Sequence, residues 1–349
     1  MRVEIADSGR TRCVTIHGPV QTMGRTVPRA QLESSYSRDL LEAYIAQRGD
    51  HFLNDYERFA NPRYVRQRLE RCLARVGRTP TNTAATLDFG CGTGTVSLLL
   101  AEMGFPRVTG LDINAASVAL AQRRAEEHSF ATAAPSFRCL PAGDTALGDA
   151  CYDMVILNAV LEHLTPAERV QLLPALWRAL RPGGHLLIHE TPNRLFPVDR
   201  HTTGLVGLPW LPIGLKRLYA RLAGRLPADT GTTGFFRTGI HGSTIFEIRQ
   251  ALPRAEVEDW SDRQDPDHVE LTATGRDRRG AEQLCINLFR TGLRMLKPVL
   301  SRCGLAVVHL YPFLLVCLRK RADPAVRPGR ATPDAPASEC QAGQGEAEP

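Results

Sequence analysis

The chain has 349 residues, of which 43% are hydrophobic and 23% charged, with a formal net charge of +6. That length and balance exclude a fibrous or wholly disordered chain and suit one sizeable globular domain with elaborations, or two small ones. The positive excess comes almost wholly from arginine, since Lys216, Lys297 and Lys320 are the only lysines. No block of like charge and no interleaving of basic with aromatic residues marks a nucleic-acid surface, so no nucleic-acid partner is expected. The nine cysteines are scattered and form no C-x-x-C pair. An odd count without metal spacing reads as reduced thiols in the cytosol. The opening Met1-Arg-Val-Glu-Ile-Ala-Asp7 lacks the apolar core of a signal peptide, so the expected location is cytoplasmic.

In chain order, residues 1 to 30 carry an apolar–polar alternation, Arg12-Cys-Val-Thr-Ile-His17, that suits a small strand pair or a loose segment. Tyr36, Leu40, Leu41, Tyr44 and Ile45 follow at near-helical spacing. Val65 to Val76 reads as a helix. An apolar run from Ala84 to Phe89 then enters Gly90-Cys-Gly-Thr-Gly94, and a helical pattern from Val96 to Ala101 leaves it. This is a strand, a glycine turn and a helix start, where Gly90, Gly92 and Gly94 allow a ligand close to the backbone. The spacing is G-x-G-x-G; the dinucleotide fingerprint needs a glycine at 95, where Thr95 stands. Asp88, two residues before the first glycine, is poorly placed for a pyrophosphate and well placed for an ammonium, directly or through water. The pattern points to a cationic ligand without phosphate.

Val108-Thr-Gly-Leu-Asp-Ile113 is the next predicted strand, and Asp112 at its tip is placed to accept ribose hydroxyls. A helix over Ser117 to Glu127 follows. Tyr152-Asp-Met-Val-Ile-Leu-Asn158 is an apolar strand, and Pro166 to Leu180 a helix with Ala167, Val170, Leu172, Leu173, Leu176 and Trp177 available for its buried face. Leu180-Arg-Pro-Gly-Gly-His-Leu-Leu-Ile-His189 reads as a helix end, a turn and a strand. Pro197, Pro209 and Pro212 make residues 191–240 kinked rather than one helix. Ser243 is a candidate cap for a helix reaching Leu252, with Glu247 in its first turns. Ala255 to Trp260 and Phe313 to Leu318 are candidates for the last strands, and Gly304 to Leu318 falls short of the ~20 apolar residues of a spanning helix. Residues 322–349, rich in Pro, Ala, Gly and Glu, are expected to be disordered.

The ordered set Asp88-x-Gly-x-Gly-x-Gly94, Asp112, Tyr152-Asp-x-Val155 and Leu180-x-Pro-Gly-Gly184 resembles the class I S-adenosylmethionine-dependent methyltransferase family, of a bacterial type 11/12-like kind. Glu190-Thr-Pro-Asn-Arg194 with His201 is similar to a bacterial subgroup of that family. The resemblance implies an α/β, Rossmann-like fold: a seven-stranded, mostly parallel sheet with helices on both faces and an inserted cap after strand 5. It implies S-adenosyl-L-methionine as cofactor, bound by Asp88, Gly90, Cys91, Gly92, Gly94, Asp112 and Ile113. Asp144 is the expected reader of the adenine amino group, against a plain turn cap, and Asn158 the residue lining the methionine end. Residues 1–60 are expected to form a leader lying over the cofactor as a lid, 61–320 the methyltransferase domain, and 191–240 the acceptor-binding insertion.

Some relatives bind a divalent cation through E-x-x-E-H, but Ala159 stands where this chain would need the first Glu, so no metal site is expected. His163 and His201 are the candidate bases for the acceptor. The segment 191–240 combines Phe196, Trp210 and several leucines with Arg194, His201 and Arg237, which suits a small-molecule or lipid-like acceptor. Leu215 to Leu222, carrying Lys216, Arg217 and Arg221, reads as a solvated basic face, with weak peripheral membrane contact as the alternative. The expected function is methyl transfer, with oxygen the favoured acceptor atom. The alternative is an inactive methyltransferase fold serving as a binding or scaffold protein.

Overall fold

The computed structural model describes residues 2–22, 25–141, 143–263 and 281–322. The described chain opens with an antiparallel sheet of three strands, β1 (Arg2–Ser8), β2 (Thr11–Thr22) and β3 (Arg25–Ser34), in that order. Val14 stands opposite Ile5 and Leu32, and Ile16 opposite Val3 and Ala30, so the alternation puts one apolar row on one face. The third strand was not foreseen, because Pro28 and two arginines discount it. It lies at the sheet edge, where a proline removes no ladder bond. Helices α1 (Arg38–Arg48), α2 (Phe52–Ala60) and α3 (Val65–Arg75) follow, α1 being capped by the Ser37 hydroxyl. Val14, Ile16, Leu40, Leu41, Tyr44 and Phe52 are completely buried in one cluster.

The remaining elements are β4 (Thr86–Phe89), α4 (Thr95–Glu102), β5 (Val108–Asp112), α5 (Ala115–Glu126), β6 (Ser136–Cys139), β7 (Tyr152–Asn158), α6 (Pro166–Ala179) and β8 (Leu180–Pro192). They continue with α7 (Ile213–Leu222), α8 (Thr232–Arg237), α9 (Ile245–Gln250), β9 (Val257–Asp259), α10 (Ala281–Arg302) and β10 (Phe313–Lys320). A second sheet has the strand order β6-β5-β4-β7-β8-β10-β9. β5 and β6 are parallel, as are β7 and β8, whereas β10 runs antiparallel to both neighbours. This is the Rossmann-like, mostly parallel sheet that the sequence predicts. In β7, Met154, Val155, Ile156 and Leu157 are all fully buried, the continuous apolar run of a strand covered on both faces.

The chain divides into two compact units, one of Met1–Thr83, Asp88–Leu140 and Asp267–Arg290, the other of Ala84–Leu87, Pro141–Pro266 and Thr291–Pro349. In the first, Arg124 of α5 is fully buried. Its Nε donates to the Tyr36 hydroxyl at 3.1 Å and its Nη1 to the Thr93 carbonyl at 2.5 Å. The guanidinium also lies 5.0 Å from the Tyr44 ring centre and 4.9 Å from that of Phe59. The N-terminal segment is thereby bonded to the glycine turn through one side chain.

Several local expectations change. β8 begins at Leu180 and absorbs the expected Pro-Gly-Gly turn as an irregularity in its pairing with β7, with Gly183 left-handed at φ +78°. Thr244, not Ser243, caps α9; it forms a reciprocal capping box with Glu247, and the Ser243 hydroxyl donates to Glu247 instead. The 22-residue α10 was not anticipated, because Gly292 and Pro298 discount a helix. The outer face of α7 is apolar: Leu215, Leu218 and Leu222 are exposed while Lys216 is buried, the reverse of the expected basic face. No helix among the described residues is long and apolar enough to cross a membrane. The expected disordered tail lies, apart from Ala322, outside the described residues.

The Arg124 contacts carry a stability prediction. Arg124→Met keeps the bulk but strands the Tyr36 hydroxyl and the Thr93 carbonyl, each losing a charge-assisted bond. Urea unfolding should show a loss of roughly 2 kcal/mol with an unchanged slope. A variant as stable as wild type would show that the guanidinium does not hold the N-terminal segment.

Candidate functional site

The glycine turn is built from main-chain bonds to the end of β5. Gly90 N and Cys91 N both donate to the Leu111 carbonyl, at 2.7 and 3.0 Å. Gly92 N donates to Asp112 Oδ2 at 2.8 Å, and Asn114 N to Asp112 Oδ1 at 2.8 Å. Each Asp112 oxygen keeps a second lone pair. Gly92 is left-handed at φ +53°, and a Cβ built there meets no protein atom within 4 Å. Gly94 is left-handed for a different reason: a Cβ there would come 2.9 Å from the Phe137 ring.

Asp88 is 1% exposed and accepts the Ser97 hydroxyl at 2.7 Å. Burial, with the Asp112 charge adding, pushes its carboxyl up to about 7. The Cys91 thiol is pushed upward by burial, which leaves it a packing group rather than a nucleophile. Ile113, beside Asp112, is 61% exposed. Asp144 is exposed and accepts from Ala146 N at 2.8 Å, the geometry of a turn cap.

In the second unit the ends of β7 and β8 carry two strained residues. Ala159 and Glu190 are non-glycine residues at φ +57° and +60°. Ala159 N donates to the His189 carbonyl, and Asn158 Nδ2 to Glu190 Oε2 at 2.9 Å. Glu162 is fully buried, accepts the Thr191 hydroxyl at 3.0 Å, and is pushed up to about 8 by burial.

The structure brings His163 and His201 together, with ring centres 6.3 Å apart. His163 Nδ1 donates to the Arg237 carbonyl at 2.9 Å. His201 Nδ1 donates to the Thr202 hydroxyl at 2.8 Å, whose own proton goes to the Thr238 carbonyl. Both imidazoles therefore carry Nε2 as the basic nitrogen. The loop before His201 is fixed by Asp199, which accepts from the backbone N–H groups of His201, Thr202 and Thr203. Gly239 packs against this ring: a Cβ there would come 2.9 Å from His201 Cε1.

Other residues singled out in 191–240 are differently engaged. Asn193 donates to the carbonyls of His309 and Tyr311 and is a structural pin. Arg237 grips Glu168 with both terminal nitrogens. Trp210 is 64% exposed. Sequence reasoning did not single out Arg169, Arg124 or Glu162's partner Thr191, since no local motif marks them. Among the described residues no group of three or more His, Cys, Asp or Glu is arranged to hold a metal ion.

Residues 87–188 match the family model of a methyltransferase domain. The chain is 34% identical over 162 residues to the trans-aconitate 2-methyltransferase of Variovorax paradoxus (strain S110), covering 44% of this chain and 57% of that protein. It is 31% identical over 117 residues to the ribosomal protein L11 methyltransferase of Dechloromonas aromatica (strain RCB), covering 34% of this chain and 36% of that protein. These matches thus span 36% to 57% of the relatives' own length. A solved S-adenosylmethionine-dependent methyltransferase from Mesorhizobium loti is 19% identical, with 68% of this chain and 90% of that chain covered and a TM-score of 0.40. The glycine turn and the acid at the tip of β5 both lie within residues 87–188, the stretch that matches a methyltransferase domain and is shared with these methyltransferases.

Proposed function

We propose that the chain transfers a methyl group from S-adenosylmethionine to a small-molecule or lipid-like acceptor, preferentially at oxygen. The observation that carries this is the Asp112 carboxylate, pinned by Gly92 N and Asn114 N beside the protein-free space over Gly92. The residues fit the cofactor. Asp112 has lone pairs for two ribose hydroxyls, and Asp88 is a buried carboxylate for the ammonium. Ile113 offers an exposed apolar surface beside them, Asp144 remains the candidate for the adenine amino group, and Asn158 for the methionine end. Residues 1–60 act as a lid, which the Arg124 link between Tyr36 and the glycine turn supports.

The cofactor supplies a methyl on a sulfonium, transferred by in-line displacement. The protein must hold the acceptor in line, exclude water and, for an oxygen acceptor, take a proton. Either His163 or His201 can take it at Nε2. The two curated relatives act by name on a small acid and on a ribosomal protein, so acceptor choice rests on this chain's own residues 191–240. Trans-aconitate, a small polyacid, supports the small-molecule reading.

Calorimetry should show S-adenosylhomocysteine binding with NAD inert, and Gly92→Val should abolish binding while the circular dichroism stays native. The opposite ligand preference would overturn the reading. The pH dependence follows from Asp88. Burial holds its proton up to about 7, and the ligand ammonium favours the ionised form. Affinity should therefore climb as pH rises from 6 to 8, by up to about tenfold per unit below the midpoint, and Asp88→Asn should flatten the profile. A flat wild-type profile would remove Asp88 from the ammonium.

The acceptor side has its own readout. With labelled methyl donor and a pool of small metabolites, His201→Ala should reduce transfer by roughly 100-fold or more and leave S-adenosylhomocysteine affinity unchanged. A folded His201→Ala protein that loses donor affinity would put this residue on the wrong ligand.

A further inference from the structure

A second polar cluster lies within the unit that holds His201, and the reaction outlined above makes no use of it. Its centre is Glu247. Arg194 Nη2 donates to Glu247 Oε1 at 2.6 Å, and Arg169 Nη1 approaches Oε2 at 3.5 Å. Arg194 Nη1 also meets His241 Nε2 at 2.5 Å. An arginine only donates, so this ring nitrogen accepts and the proton of His241 sits on Nδ1. Burial and the neighbouring Arg194, Lys216 and Arg169 charges hold His241 neutral, pushing it down to about 2.

The atoms left over are all donors. Arg169 has a 5% exposed side chain, and its Nε and Nη2 have no partner. His241 is 4% exposed, and its Nδ1 has none either. Glu162 lies in the field of Arg169 and also keeps its proton at neutral pH, leaving Oε1 unpartnered. Buried polar groups are rarely left unbonded, and three unpartnered N–H sites on two residues joined through Glu247 and Arg194 call for acceptor atoms. The charges agree. Arg169, Arg194, Lys216 and Arg237 face Glu247, Asp199 and Glu168, four cations against three carboxylates, which leaves room for one negative charge. Lys216 is 1% exposed and donates to the Pro209 carbonyl. The cluster reaches solvent at Arg194 and Glu247, whose side chains are 22% and 34% exposed.

We propose that Arg169 and His241, backed by Arg194 and Lys216, form a seat for a carboxylate, and that this carboxylate belongs to the methyl acceptor. A carboxylate brings two acceptor oxygens and no donor, which matches the fork of Arg169 and the single N–H of His241. One negative charge also suits the site better than the two of a phosphate. Assigning the anion to the acceptor rests on the methyltransferase reading; the seat itself does not.

The test uses the full chain and octanoate, which has one carboxylate and an apolar body. Octanoate should bind in calorimetry, with octanol and inorganic phosphate each at least about tenfold weaker. Arg169→Gln, and His241→Gln, which keeps an acceptor for Arg194 and replaces the ring-fixed Nδ1 donor with a freely rotating amide, should each weaken octanoate about tenfold or more. Glu247→Gln removes the competing charge and should tighten it, an effect that a purely structural role would not produce. S-adenosylhomocysteine affinity, measured on the same samples, should be unchanged in all three variants and certifies that each is folded. Equal binding of octanol, tighter binding of phosphate, or octanoate affinity indifferent to His241→Gln and Glu247→Gln would overturn the seat. A wild-type protein that binds octanoate but no S-adenosylhomocysteine would overturn the methyltransferase reading and leave the seat standing.

Discussion

The end of β5 is the point on which the donor half of the molecule turns. Three successive groups there are spent on holding other segments: the Leu111 carbonyl on Gly90 N and Cys91 N, the Asp112 carboxylate on Gly92 N and Asn114 N, and the Asp112 carbonyl on Leu140 N. The three left-handed glycines of the turn have no side chains of their own with which to fix it. Its shape is imposed from the neighbouring strand. The acid that holds the turn open is the one proposed to meet a ribose; its geometry is set by the protein's own bonds, which would lower the ordering entropy on binding.

A buried guanidinium does the corresponding work for the N-terminal segment. Arg124 is accommodated by two hydroxyls, one carbonyl and three ring faces. Such an arrangement is specific because a guanidinium removed from water tolerates few other surroundings. The apolar cluster of Val14, Ile16, Leu40, Tyr44 and Phe52 provides the bulk of the burial. Arg124 bonds Tyr36, a member of that cluster, to Thr93 of the turn.

What the sequence made legible follows from locality. The glycine turn, the strand ending in Asp112, the β7 run and helix α6 are contiguous patterns, and each appears where the spacing put it. Edge strand β3 and helix α10 were missed because Pro28, Gly292 and Pro298 argue against regular structure on intrinsic grounds, and tertiary context overrides them. The shift of the α9 cap by one residue had a readable signal, since Thr244-x-x-Glu247 is itself a capping-box pattern. The Arg169–Glu247–Arg194–His241 network had none. Its members lie up to 78 residues apart and meet only after folding. Nor did the residue types separate Arg237, which is engaged by Glu168, from Arg169, which keeps donors to spare.

The left-handed Ala159 and Glu190 have a consequence of their own. A side chain held at positive φ stores of order 1–3 kcal/mol relative to the ordinary backbone basins. Here two such residues cap the adjacent strands β7 and β8, and the side chains beside them, Asn158 and Glu190, are bonded to each other. Glycine would relax both positions, yet at 190 it would also delete the carboxylate. Relief of backbone strain and retention of the Asn158–Glu190 bond therefore pull in opposite directions at residue 190, and not at residue 159.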